Sequence, residues 1–346
     1  MDSLPEDSIM DSLPEDMIRE ISKHLHWYDR SFCSKIRSGI ESMTTTFHYR
    51  YSTMAELNLL ITKCPSLREL DVSGCIVDIS PLAKCTALTS LNLCCGDLVD
   101  EWREKIILGR VGLVDISPLA KCTALTSLNL GENGVVDISP LAKCTALMSL
   151  NLIESENIVD ISPLAKCKVL TSLDLSGCPN IEDISALNEC TALNYLALSV
   201  CGVVDISPLA KCTALNYFDL SLCSNIEDIS PLAECTALMS LDLLGCTNIE
   251  DISPLAKCTA LTSMDLSGYN INIEDISPLA KCTALTLLSL RYNLTITDIS
   301  PLAKCTALTS LDLFMCLDTL HHNCATRSED DPFDLKIYYQ TAADEI

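Results

Sequence analysis

The sequence predicts an α/β solenoid built from a small repeating unit of one short strand and one helical turn. Three observations predict it. The phrase Asp-Ile-Ser-Pro-Leu-Ala-Lys-Cys-Thr-Ala returns, nearly unchanged, from Asp78, Asp115, Asp137, Asp160, Asp183, Asp205, Asp228, Asp251, Asp275 and Asp298. Its spacings are 22 to 24 residues, with one interval of 37, a period that marks stacked repeats. Each unit also carries Leu-x-x-Leu-x-Leu, in eleven copies from Leu67 to the copy opening at Leu308. Finally, Asp precedes the next such Leu by ten residues in all ten cases. Length variation is thus confined to an outer loop, as stacking on nearest neighbours requires.

The alternating Leu-x-Leu end of the unit reads as a strand with its aliphatic side chains inward. Ser-Pro-Leu-Ala-Lys-Cys reads as a helical turn. Ser is expected to cap it and Pro to occupy the first helical position, while Leu and Cys, three apart, face the core. The nine Ser-Pro pairs also resemble phosphorylation sites, but near-identical copies at the helix starts favour a capping role. Hydrophobic residues make up 48% of the chain and aromatics only 5%, so Leu, Ile, Val, Ala and Cys must fill the layers.

Formal net charge is −24 over 346 residues. Such a field repels nucleic acid and anionic lipid and attracts basic surfaces. The expectation is a protein partner on the concave face, a basic one suiting this field, with no nucleic acid and no membrane. Of 21 cysteines, eleven recur at one place in the unit (Cys64, Cys85, Cys122, Cys144, Cys167, Cys190, Cys212, Cys235, Cys258, Cys282 and Cys305) and six share a second. Stacking brings equivalent cysteines to roughly 5 Å, a distance that does not exclude disulfides, but a small buried thiol is the simpler reading. No signal peptide or membrane-length apolar run is visible. A cytoplasmic or nuclear, reducing location is therefore expected.

The eleven units over residues 67–316 resemble leucine-rich repeats. Ile-x-Asp-Ile-Ser-Pro-Leu is similar to the short repeats of internalin-like proteins, and Leu175-Ser-Gly-Cys178 to the cysteine-containing repeats of F-box proteins. The place that holds Asn or Cys in the family is here Cys75, Asn133, Cys178, Cys201, Cys223, Cys246, Asn293 and Cys316, while Gly96, Ser155 and Tyr269 depart from it. The resemblance implies a curved solenoid with a parallel sheet on its concave side.

In that frame the residue before the last Leu forms a concave column holding Asp71, Asn92, Asn129, Asn151, Asp174, Ala197, Asp219, Asp242, Asp265, Ser289 and Asp312. It is either a negative stripe for a basic ligand or the legacy of duplication. Departures from the repeated template are the other candidates. Tyr195 and Tyr217 stand where most repeats have Ser, with Leu222 and Leu244 on adjoining edges, and exposed aromatics are usual interface anchors. A second group, Leu287, Arg291, Tyr292 and Phe314, lies near the end of the repeats, where end-cap packing explains it equally well. The long interval holds an insertion, Glu101 to Asp115, with Trp102, Arg103, Lys105 and Arg110. It reads either as a decayed repeat or as a binding loop.

Residues 1–66 do not share the period. Pro14 lies in a first helical turn, Glu15 and Asp16 sit near its positive end, and Met17, Ile18, Ile21 and Leu25 mark one face. Leu13-Pro14-Glu15-Asp16-Met17-Ile18 with Ile21, Leu25 and Asp29 resembles the F-box. That resemblance implies a helical module docking a Skp-type adaptor of a cullin ubiquitin ligase, with Leu13, Pro14, Met17, Ile18, Ile21 and Leu25 at the contact. The alternative is a helical cap over the first solenoid layer. The chain then divides into an F-box-like module (1–50), a linker and N-terminal cap (51–66), the solenoid (67–316), and a C-terminal cap with an acidic tail (317–346).

Catalysis is not expected. The five histidines (His24, His26, His48, His321 and His322) all lie outside the repeats, and the repeated Ser and Cys lack a paired base. No zinc-spaced ligand set or phosphate-binding glycine loop appears, so no cofactor is expected. The function expected is substrate recognition for a Skp-cullin-F-box ligase, with a protein-binding scaffold without any ligase link as the alternative.

Overall fold

The computed structural model describes residues 67–73, 78–95, 113–269 and 272–316, together with the backbone of 46–48 and 336–338. The adaptor-contact residues expected between Leu13 and Leu25, and most of the 101–115 insertion, lie outside the described residues.

One parallel sheet runs in chain order. It opens with β1 (Thr46–His48), β2 (Glu69–Asp71), β3 (Ser90–Asn92), β4 (Ser127–Asn129) and β5 (Ser149–Asn151). It continues through β6 (Ser172–Asp174), β7 (Tyr195–Ala197), β8 (Tyr217–Asp219) and β9 (Ser240–Asp242). β10 (Ser263–Asp265), β11 (Leu287–Ser289), β12 (Ser310–Asp312) and β13 (Lys336–Tyr338) complete it. β2 to β12 are the eleven strands read from the repeats, and they line the concave side of a curved solenoid. β1 and β13 add a parallel strand at each end, pairing Phe47 with Leu70 and Leu311 with Ile337. Neither strand belongs to the repeat pattern.

Registers are identical from layer to layer, so each column of the sequence frame becomes a physical row. The strand centres Leu173, Leu196, Phe218 and Leu241 are buried neighbours. One hydrophobic core runs unbroken from Leu67 to Cys316.

Where the last strand residue is Asp or Asn, its side chain closes the end of the three-residue strand. Oδ1 of the column residue accepts the backbone N–H two residues on, as in Asp174 with Ser176 (2.9 Å), Asp219 with Ser221 (2.8 Å) and Asn129 with Gly131 (3.0 Å). The chain then passes through a left-handed residue: Gly177 and Gly245 in some layers, but Glu154, Val200, Leu222 and Tyr292 in others. That conformation suits glycine and costs other residues about 1–2 kcal/mol.

The opposite side consists of 3-10 turns, Ser80–Lys84 and its nine counterparts. Serine does not cap them as the sequence suggested. Each turn starts instead from the preceding aspartate, whose Oδ1 accepts the serine N–H at 2.7–2.8 Å, from Asp78 with Ser80 to Asp298 with Ser300. In seven copies, Ser139 among them, the serine hydroxyl also donates to the other carboxylate oxygen. An Asx turn of this kind needs the carboxylate at Asp and a free N–H at Ser. The following Pro, where present, has no N–H to leave unsatisfied, and the phrase can therefore recur intact.

Both cysteine rows consist of free thiols among the described residues. In the turn row the thiols from Cys122 to Cys305 reach back to carbonyls of the preceding layer, as Cys122 Sγ does to Leu82 O (3.3 Å) and Cys258 Sγ to Leu232 O (3.2 Å). In the second row Cys201, Cys223 and Cys246 donate to Leu175, Leu198 and Leu220 carbonyls at 3.0–3.1 Å. Asn133 does the same with its amide, to Leu93 O at 2.9 Å. Cysteine is thus more than a small hydrophobe here: it also satisfies buried carbonyls between layers.

Candidate functional site

Three consecutive layers, β7 to β9, gather one group of departures from the template. Tyr195 and Tyr217 lie side by side in the register, and their rings stack with centroids 4.5 Å apart and planes within 4°. Their same-row neighbours are Ser172 on one side and Ser240 on the other. Serine is too short to cover an aromatic face, so each tyrosine is backed by the other and flanked outwardly by a small residue.

The acidic row runs alongside, two residues further along each strand. Asp174, Ala197, Asp219, Asp242 and Asp265 are successive register partners. Ala197 is buried and breaks the row between Asp174 and Asp219. The row is more than a legacy of duplication, because each Asp or Asn in it ends its strand through Oδ1. Its charge is nevertheless felt by the rings. Burial, helped by Asp174, Tyr217 and Asp219, pushes the Tyr195 hydroxyl up to about 12. Burial, then Asp219, Asp242 and Asp174, raise Tyr217 as well.

Within this row burial acts on the Asp242 carboxyl. Burial first, then the like charges of Asp219 and Asp265, raise its carboxyl to about 6, against the opposing hydrogen bond from the Leu244 N–H. A raised carboxyl favours the neutral form, so its contribution to stability is complete below 3.8 and lost as pH climbs through about 6. At neutral pH the buried charge is a net cost. Asp242→Asn keeps the Oδ1 acceptor, as Asn129 and Asn151 show in their own layers. We expect it to stabilise the chain by about 1–2 kcal/mol at neutral pH, after allowing for solvent screening. Denaturant titrations at several pH values should show the gain vanish in acid; a gain that persists there would remove this explanation.

On the far side of the band Val200 and Leu222 occupy the left-handed position and remain 45% and 54% exposed. Leu222 N–H donates to Leu244 O at 2.7 Å. The Leu222 side chain lies over Gly245, where an added Cβ would come within 2.8 Å of Leu222 Cδ2. Leu222 and Leu244 are thus neighbours, as the sequence placed them.

The second group assembles differently from the sequence reading. Arg291 stacks over Phe314 (4.8 Å) and Tyr292 (5.6 Å) and pairs with Asp312 at 3.7 Å. Tyr292 meets Phe314 edge-on and stacks on Tyr269 with centroids 4.3 Å apart. Tyr269 was visible in the sequence only as a break in the Asn/Cys row. Leu287 opens β11 in the row of Tyr195 and Tyr217, whereas Arg291 lies beyond the end of that strand.

On the convex side a crease of about 400 Å³ is lined by Glu182, Asp183, Asn188, Asp205 and neighbours. Asp183 and Asp205 there are already turn caps. Among the described residues no group of three or more His, Cys, Asp or Glu is placed to hold a metal. No helix among them is long and apolar enough to cross a membrane.

Comparison with known proteins agrees with this geometry. The family model described as Leucine Rich repeat matches residues 166–187. The structure is similar to an internalin (inlF) from Listeria monocytogenes, at 27% identity and a TM-score of 0.69, over 94% of this chain and 89% of that one. It is also similar to an internalin C2 (inlC2) from the same organism, at 32% identity and a TM-score of 0.50, over 56% of this chain and 83% of that one. No curated protein matches the sequence. The chain is a leucine-rich-repeat protein with an internalin-like solenoid, a protein-binding scaffold in its architecture.

Proposed function

We propose that the chain acts by binding rather than catalysis, capturing a partner protein on the concave band across β7 to β9. One observation carries this reading. In a solenoid of near-identical layers, the half-buried tyrosine pair, the exposed aliphatics in left-handed backbone and the break at Ala197 converge on adjacent layers. The left-handed residue recurs along the solenoid, and in these two adjacent layers it is an exposed aliphatic, where other layers carry Glu132, Glu154 or glycine. Asp174, Asp219, Asp242 and Asp265 favour a basic partner. Free thiols hydrogen-bonded through two rows support residence where thiols stay reduced. The Arg291, Tyr292 and Phe314 group, with Tyr269, is a secondary contact candidate.

Tyr195→Ala/Tyr217→Ala is the direct test. Partner recovery from cell extract by the tagged chain should fall about tenfold or more, with the thermal melt nearly unchanged because both rings are only half buried. Unaltered recovery with the double variant would move the contact elsewhere.

The N-terminal Leu13-Pro14-Glu15-Asp16 motif favours a finer reading, in which the chain recognises a substrate for a Skp-cullin ligase. Co-purification with a Skp-type adaptor and cullin tests it, with Leu13→Ala/Pro14→Ala as the control. Failure of the unaltered chain to retain the adaptor rejects it and leaves a scaffold without a ligase link.

A further inference from the structure

Because Ser172 and Ser240 leave the outer faces of the tyrosine stack uncovered within their row, the band presents two equivalent seats. Each combines an aromatic face, a serine floor and a carboxylate two residues along the same strand. One comprises Tyr195, Ser172 and Asp174; the other comprises Tyr217, Ser240 and Asp242. Both strand neighbours are on the same face of the sheet, so ring and carboxylate converge on one site. We propose that these are twin guanidinium seats, and that the occupant is an extended partner segment carrying two arginines four residues apart, crossing the strands. This rests on the concave-face reading and names its ligand.

The chemistry selects arginine. A planar guanidinium stacks on a tyrosine face while its N–H groups reach a carboxylate sideways, which a compact ammonium cannot do at once. The register puts Asp174 and Asp242 on the strands that flank the ring pair, two residues past Ser172 and Ser240 on the same face. The spacing follows from the fold. Ser172 and Ser240 are three strands apart, about 14 Å at the usual interstrand distance. An extended chain advances about 3.4 Å per residue and returns a side chain to the same face every second residue. Residues i and i+4 therefore fall about 14 Å apart on one face. Between the seats the row holds Ala197 and Asp219, so it is interrupted at β7 alone.

The test uses fluorescently labelled nine-residue peptides of serine and glycine with two arginines, titrated against the full chain by anisotropy. Arg-x-x-x-Arg should bind about tenfold more tightly than peptides of the same composition with adjacent arginines, or with citrulline in place of arginine. Ser172→Leu/Ser240→Leu should abolish that preference without unfolding the chain, since Leu287 already occupies the same row and is exposed there. Equal binding of all arginine spacings, or an unchanged preference in the leucine variant, overturns the seats. Absence of binding to any peptide does so as well. In each of those cases the outcome for Tyr195→Ala/Tyr217→Ala with the natural partner still decides the concave-face reading separately.

Discussion

Phe218→Ala is expected to cost about 3–5 kcal/mol, the usual range for emptying a large aromatic from a closed core. Phe218 is fully buried at the centre of β8, where most sister layers place leucine and β10 places Met264. Its register partners are Leu196 and Leu241. In a solenoid each layer is held only by its two neighbours. A cavity in one layer therefore weakens two interfaces and also divides the stack. Urea unfolding followed by circular dichroism should show a lower midpoint and a broader transition as the two halves uncouple. Phe218→Leu, which restores the template residue, should cost less than about 1.5 kcal/mol. If the alanine variant unfolds within about 1 kcal/mol of the unaltered chain, the layers do not depend on one another as described.

Alkaline pH should unfold the solenoid abruptly. Burial raises the thiols of Cys144, Cys167, Cys190, Cys235 and Cys282 from 9.0 to about 11, and those of Cys122, Cys212 and Cys258 to about 12. Cys178 and Cys246 in the second row are raised to about 12, Cys223 and Cys316 to about 11. A thiol whose folded value is raised contributes its stability fully below the unfolded value. That contribution is lost as pH climbs from 9.0 through about 11 to 12. Each thiol then costs on the order of 1 kcal/mol per pH unit, and a dozen such costs exceed the stability of an ordinary domain. Thiolate absorbance and ellipticity should therefore change together, in one steep step above pH 9.0. Below that step the buried ladder cysteines should resist iodoacetamide. Gradual thiolate formation with intact ellipticity would show the rows to be solvent-accessible.

How much of this was legible in advance can be judged residue by residue. The strand frame, the inward leucines, the acidic row and the adjacency of Tyr195 and Tyr217 follow from counting, because a fixed period converts sequence position into spatial position. The Asp-x-Ser spacing also contained the Asx turn, and the chemistry of aspartate before a helical turn was the missed signal. The partnership of Tyr269 with Tyr292 was not legible in the same way. Tyr269 lies four residues past Asp265 and Tyr292 three past Ser289, so they occupy different columns of the template and meet only through loop geometry.

By itself the sequence determined the architecture, since near-identical layers can bury their leucines only by stacking in one register. It also determined which side chains share a row. Tertiary structure alone decided what those rows do. The aspartates carry charge to the concave face and end their strands, the cysteines close carbonyls of the layer before, and two serines flank a stacked tyrosine pair. Those outcomes depend on distances between layers and on which atoms are already hydrogen-bonded. A one-dimensional repeat specifies neither.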